Sequence, residues 1–380
     1  MTDFPKSGIG GVNRLRKFVQ HYIRGASDSD SPRRRFARAI AHGAWLVVPL
    51  VVSGCAGRSP VISGMLLNFR RADPVLAAND ATSRATLQVR WLGTACYLMQ
   101  LGDKAVFTDP FLTHQSLSRV WLGGAIKSDP QVVSNALAGL PVPRAIFVGH
   151  SHYDHLLDAP ECLKQPGWRD VPVYGSDSTR NLLHGFCDRF TNAWRAVVAD
   201  GSWQEVATGI RYQAIPATHG RQLPILPLLY SGRVKKPLPN SPNRASEFKV
   251  GESYAFVFEL SNEQVTYRIY FIGSAHRDCE GFPDASIESV DTAILCVPTW
   301  KLSKGYPDNL IRRLKAQHIV ASHYDNFFQV NHRPTEVVAL ADMEGFLIRA
   351  QKSANYAGFE DMVVPSVGSV LRFEKNPSPR

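Results

Sequence analysis

Six cysteines in 380 residues, at positions 55, 96, 162, 187, 279 and 296, never fall in a Cys-x-x-Cys spacing. That excludes a disulfide-rich scaffold and the metal or redox pairs that use the spacing. Cys96 and Cys296 lie in apolar strand-like runs and read as small core residues. Internal repeats are missing as well. Charged residues are 20% and hydrophobic ones 44% of the chain, ordinary values that exclude general disorder. The length allows one large domain or two small ones, with ample chain for a core. The net charge of +10 is unevenly spread: residues 1–54 hold nine Lys/Arg against three Asp/Glu and so carry +6 of it. A basic leader, not a nucleic-acid surface, explains most of the balance, and no nucleic-acid partner is expected.

The leader has an order of its own. Arg33-Arg34-Arg35-Phe36 precedes the apolar run Ala44–Val52, which ends at Ser53-Gly54-Cys55. Basic, apolar, small, then Cys is the order of a secretory leader. Val52-Ser53-Gly54-Cys55 resembles a bacterial lipobox, and Arg33-Arg34 with Phe36 resembles a twin-arginine export signal. The apolar run falls short of the roughly 20 residues of a membrane span. The reading is a lipoprotein tethered to the bacterial cell envelope, with lipid on Cys55. An uncleaved N-terminal membrane anchor and a chance basic-apolar tract are the alternatives. Residues 56–86 read as a tether with a short helix near Ile62–Phe69.

The chemistry is concentrated in Val148-Gly149-His150-Ser151-His152-Tyr153-Asp154-His155, a His-x-His-x-Asp-His pattern. Ala145-Ile146-Phe147-Val148 reads as a buried strand, and Gly149 lets the backbone turn into a loop presenting the polar side chains. Imidazole with carboxylate suits a first-row divalent metal, zinc above all. His150 and His152 can converge on one ion while Asp154 and His155 face a second. The bland alternative is a histidine-rich polar loop.

With that motif the chain resembles the metallo-β-lactamase-fold hydrolases, in particular the N-acyl-phosphatidylethanolamine phospholipase D-like and L-ascorbate-6-phosphate lactonase-like branch. Trp91-Leu92-Gly93-Thr94-Ala95-Cys96-Tyr97, Phe107-Thr108-Asp109-Pro110, the histidine motif, Ala217-Thr218-His219 and Ser322-His323 carry the likeness. It runs from about Leu87 to Phe373. The resemblance implies an α/β fold, an αββα sandwich of two facing mixed sheets with helices outside and metals at one edge. It implies a first ion on His150, His152 and His219, and a second on Asp154, His155 and His323. Asp109 would support the ligating histidines from behind, although alone Asp109-Pro110 reads as a turn. The family places a bridging aspartate where Ser274 stands. Serine cannot supply that anion at neutral pH, so the second ion should bind more weakly, giving one or two zinc ions. His276 or Asp278 would reach in to compensate; for His276, ligand or proton-transfer duty stands against a plain loop histidine.

Strands are read at 86–92, 95–100, 105–108, 171–175, 211–215, 254–260, 267–272, 291–298 and 369–373, with helices at 128–140, 178–186, 310–316 and 334–353. Residues 87–375 form the hydrolase domain and 376–380 a tail. Tyr324 and Phe327, with Asp325 and Asn326, are placed at the substrate mouth. Residues 221–250, rich in proline and basic side chains, read either as a lid for an anionic or amphiphilic substrate or as a solvated insertion. The resulting expectation is a metal-dependent hydrolase using a zinc-activated hydroxide, with Asp154, His155 and His276 as catalytic groups and a small-molecule or lipid substrate. Phosphodiesters, phospholipid included, rank ahead of lactones and esters. A tethered binding protein with a degenerated site, motivated by Ser274, is the reading from another class. Iron-pair redox chemistry ranks last because it wants the missing bridging carboxylate.

Overall fold

Alternation along each strand decides which side faces the core. In β2 (Thr86–Gly93) Leu87, Val89 and Trp91 are fully buried between two sheets, while Gln88, Arg90 and Leu92 are half-buried on the outer side. The computed structural model describes residues 69–72, 85–222, 229–277, 280–329, 335–339 and 341–375. The leader with Cys55, most of the tether, Asp278, residues 223–228 and the tail lie outside the described residues. Among the described residues no helix is long and apolar enough to cross a membrane.

The other strands are β1 (Phe69–Ala72), β3 (Cys96–Leu101), β4 (Lys104–Thr108), β5 (Ala145–Phe147), β6 (Val173–Gly175), β7 (Trp194–Ala196), β8 (Gln204–Ala207), β9 (Ile210–Ala217), β10 (Ser253–Ser261), β11 (Thr266–Ile272), β12 (Thr292–Cys296), β13 (His318–Ser322), β14 (Asp361–Pro365) and β15 (Val370–Glu374). They form a seven-stranded sheet, β15-β2-β3-β4-β5-β6-β7, and an eight-stranded one, β1-β14-β13-β12-β11-β10-β9-β8. Both sheets are mixed, with β4, β5 and β6 parallel in one and β11 to β14 parallel in the other. Aromatic rings fill the space between: Phe147 lies 5.0 Å from Tyr212 and 4.8 Å from Phe258, ring centre to ring centre. Such contacts add to the area they bury.

The helices are α1 (Leu117–Trp121), α2 (Pro130–Leu137), α3 (Tyr153–Leu156), α4 (Ala159–Cys162), α5 (Asp177–Phe186), α6 (Asp188–Ala193), α7 (Asp308–Leu314) and α8 (Met343–Ser353). Asp129 caps α2, accepting from the backbone of Gln131 and Val132, and Pro130 occupies its first turn, where a missing N–H costs nothing. Leu156, Leu163, Leu182 and Leu183 pack outside the seven-stranded sheet; Leu310, Leu314 and Phe346 join the large cluster that also holds the residues between the sheets. The result is the αββα sandwich.

Three departures from the sequence reading stand out. Within the expected tether, Phe69–Ala72 forms an edge strand parallel to β14. β14 itself, ending in Pro365, was not anticipated. The helix expected over 334–353 begins only at Met343, capped by Asp342. The preceding chain is drawn out along the 324–326 segment instead: Val338 N–H donates to Tyr324 O at 2.7 Å and Asn326 N–H to Glu336 O at 2.8 Å. Those bonds take backbone groups a helix would need.

Candidate metal centre

Because β9, β11 and β13 run the same way in one sheet, and β2, β4 and β5 in the other, their C-terminal ends share one edge of each sheet. Thr94 follows β2, Asp109 follows β4, the histidine motif follows β5, His219 follows β9, Ser274 follows β11 and His323 follows β13. The edges meet there: His323 N–H donates to Thr94 O at 3.0 Å, and Tyr254 N–H to Gly149 O at 2.8 Å. His152 precedes the short helix α3, whose turn brings Asp154 and His155 around to one side.

Two ligand groups result. His150, His152 and His219 bring one potential ligand atom each within 4.8 Å of the others, and Asp154, His155 and His323 do the same. In the second group Asp154 Oδ2 lies 3.6 Å from His323 Nε2 and 3.9 Å from His155 Nε2. The Nε2 atoms of His150 and His152 are buried with no hydrogen-bond partner, a costly state for polar atoms unless something coordinates them. His219 Nδ1 lies 2.6 Å from Gly220 O, so Nδ1 carries the proton and Nε2 is left as the ligand. This donor set fits a divalent metal of the zinc class.

Behind the second group stands Asp109, fully buried. Its Oδ2 lies 2.8 Å from His155 Nδ1 and its Oδ1 accepts from Gly149 N–H at 2.6 Å. The carboxylate thereby orients one ligand and fixes the turn from which the others emerge. Gly273 makes room for it: a Cβ there would come within 2.6 Å of Asp109 Oδ2 and 3.2 Å of His155 Nδ1. Thr94, Asp109 and His323 all have positive φ, at 50°, 39° and 61°, so unfavourable backbone conformations gather around the site.

Electrostatics follow the geometry. Burial, reinforced by neighbouring histidines, holds His150 and His219 well below the usual imidazole range. For His152 burial likewise dominates, lowering it to about 4. His155 goes up: burial opposes its charge, but the carboxylates of Asp109 and Asp154 prevail. Burial raises Asp109 despite its contact with His155. Asp154 is pulled well down against burial by His155 and His323.

Metal-stripped protein should therefore lose stability as pH falls from 7 to 5, above the ordinary carboxylate range. Unfolded, His150, His152 and His219 take up protons near pH 6.5 that they refuse when folded. His155 contributes with the opposite sign, stabilising at low pH and losing that contribution as pH rises through its folded value. The raised carboxyls of Asp109, Asp158 and Asp325 share that sign but start from the carboxylate range below this window, which sets His155 against three imidazoles here. Thermal unfolding at successive pH values measures the balance. A midpoint that climbs on acidification over this range would contradict it.

Not every expected site residue joins the groups. His276 belongs to neither; its Nδ1 lies 2.8 Å from Arg277 O and its ring packs edge-on to Tyr306. Tyr324, expected at the substrate mouth, points into the core instead, its ring tilted against Trp91 at 5.1 Å and its hydroxyl donated to Pro365 O. Phe327 does sit at the site, its ring 5.1 Å from that of His323. Ser274 is buried beside Gly273, and among the described residues Asp154 is the sole carboxylate in either group. Two participants escaped the sequence reading. Asp158 is fully buried and accepts from Leu112 N–H, Thr113 N–H, Thr113 Oγ1 and Ser128 Oγ, binding the loop after Asp109 to the metal loop. An aspartate set straight after Leu156-Leu157 was the available signal. Tyr230, in the insertion, lies 6.3 Å from His152 ring to ring, and nothing in its local sequence announces that.

Comparison with known proteins gives partial matches. Cytidine monophosphate-N-acetylneuraminic acid hydroxylase of Cricetulus griseus is 31% identical over 134 residues, 34% of this chain and 22% of that protein. The inactive human counterpart is 30% identical over 133 residues, 34% of this chain and 25% of that protein. The match thus spans about a quarter or less of these curated relatives. Among solved structures, a metallo hydrolase from Ignicoccus hospitalis (14% identical, 77% of this chain and 100% of that one, TM-score 0.44) and an isothiocyanate hydrolase from Delia radicum gut bacteria (17%, 76% and 100%, TM-score 0.46) are similar. A family model described as "Beta-lactamase superfamily domain" matches residues 88–323, more than half of the chain and every residue of both ligand groups. The chain belongs to the metallo-β-lactamase superfamily of metal-dependent hydrolases.

Proposed function

We propose that this hydrolase cleaves phosphodiester bonds, phospholipids included, with zinc as its metal. The observation that carries the reading is the pairing of two ligand groups whose members come from both sheets, with buried imidazole nitrogens left bare. Two divalent ions side by side offset charge on both the attacking and leaving oxygens of an in-line displacement, and zinc lowers the pKa of a bound water from about 15.7 to about 7. The chain's own residues do the rest. Asp154, kept ionised at neutral pH, accepts a hydrogen bond from the nucleophile and orients it. Asp109 holds His155 in the tautomer that presents Nε2, and Gly220 does the same for His219. Phe327 walls the site beside His323 and limits access of water. With serine at 274, Asp154 is the only anion the second group offers, so its ion is the weaker of the two.

The match to proteins named as hydroxylases favours a second reading, hydroxylation rather than hydrolysis, for which an iron pair on the same ligands is the metal to test. Metal content per purified chain, with and without added zinc, together with hydrolysis of bis(p-nitrophenyl) phosphate and of a simple lactone, separates the readings. Two zinc ions with phosphodiester turnover are expected. Lactone turnover alone transfers the assignment to ester hydrolysis, and iron retained through purification favours the second reading. No tightly held metal under any condition sinks the hydrolase and leaves a binding protein.

A further inference from the structure

The insertion after His219 leaves the first ligand group and comes back to it. Ser151, between His150 and His152, donates its backbone N–H to Val250 O at 3.0 Å, and its Oγ lies 3.0 Å from Lys249 O. Inside the insertion Tyr230 is pinned at several points. Its carbonyl accepts from Val250 N–H at 3.0 Å, and its hydroxyl donates to Val120 O at 3.2 Å. Its ring meets that of His152 edge to face, with centres 6.3 Å apart. His152 Nε2 is buried and left without a partner. Tyr230 has a φ of 54°, a left-handed conformation that a bulky residue keeps only where its surroundings over-determine it.

We propose that Tyr230 is a positioning residue of the three-histidine group: the insertion, anchored at Val250 and Val120, delivers its ring against His152 and so sets the direction of Nε2. The insertion is then part of the metal site, rather than only a cover for substrate. The proposal rests on the reading that this group binds metal. A ligating histidine depends on the neighbours that hold its ring in place, and loss of such support weakens metal binding by about 10–100-fold. Here the support comes from a segment far along the chain, outside the motif that supplies the ligand.

The test compares the full chain with Tyr230→Gly, which removes the ring and frees the backbone conformation, and Tyr230→Phe, which removes only the hydroxyl anchor. Zinc affinity is measured by chelator competition, and the geometry of the bound ion by the visible spectrum of the cobalt-loaded protein. His219→Ala and His323→Ala identify which signals belong to which group. Tyr230→Gly should weaken one of two binding events by about 10–100-fold and alter the cobalt bands that His219→Ala abolishes. Tyr230→Phe, which frees the ring from Val120, should weaken the same binding event by a smaller but measurable factor and shift the same bands. Unchanged affinity and bands in Tyr230→Gly overturn the proposal, as does a change confined to the bands lost in His323→Ala. If Tyr230→Gly does not fold, wild-type affinity and bands in Tyr230→Phe overturn it. A wild-type chain that binds no metal overturns the underlying reading and this proposal together, a pattern distinct from the others.

Discussion

His150→Ala is expected to cost the chain one bound ion and to lower hydrolysis by well over 100-fold. The ring of His150 is central to both groups: its centre lies 3.9 Å from that of His155, 4.6 Å from that of His219 and 4.8 Å from that of His152. Two imidazoles alone hold zinc poorly where three protein ligands are usual in catalytic sites. Substitutions behind a ligand already cost about 10–100-fold in metal affinity or activity, so loss of the ligand itself must exceed that. Because His150 is buried with its Nε2 bare, alanine removes an unsatisfied polar group, and the metal-stripped variant should unfold no earlier than metal-stripped wild type. Metal analysis and calorimetry on the two stripped and reloaded proteins measure both halves. An unchanged metal content would refute the assignment of the first group.

Gly273→Ala should be nearly as severe by a different route. One methyl group there would press to within 2.6 Å of Asp109 Oδ2, closer than real contacts allow. The carboxylate must then leave His155 Nδ1, Gly149 N–H, or both. Separating a buried, hydrogen-bonded pair leaves charge without compensation, at a cost on the order of 3 kcal/mol. His155 would also lose the partner that fixes its tautomer. We expect a lower unfolding midpoint without metal and loss of the weaker ion with it. Asp109→Asn is the informative companion, since it keeps the volume and changes only the charge. If Gly273→Ala keeps both the midpoint and the second ion, the close packing against Asp109 has no energetic weight.

The ligands were legible in the sequence because metal binding demands unusual residues at fixed offsets. His150, His152, Asp154 and His155 lie within one loop, whereas His219 and His323, each after a strand-like run, were singled out only by the family resemblance. Buried strands were legible for the same reason, since apolar continuity or alternation is local. What could not be read is whatever depends on distant chain meeting distant chain. Tyr324 looks like a mouth residue from its place beside His323, yet a ring contact with Trp91 and the Pro365 carbonyl draw it inward. The start of α8 was misplaced because the backbone near Tyr324 competes for the same hydrogen bonds. Tyr230 gives no local sign of its contact with His152, and β1 is too short to signal a strand before β14 receives it.

The descent of each ligand group from both sheets has a mechanical consequence. An ion on the first group joins His150 to His219, and one on the second joins His155 to His323. Each acts as a cross-link between the sheets, closing a long loop of chain whose entropy the unfolded state would otherwise keep. The cysteines at 96, 162, 187 and 296 are all free, so among these residues metal, not sulfur, would supply the staples. Resistance of the open edge of the sandwich to heat and proteolysis should then rise and fall with the metal available, even when no substrate is present.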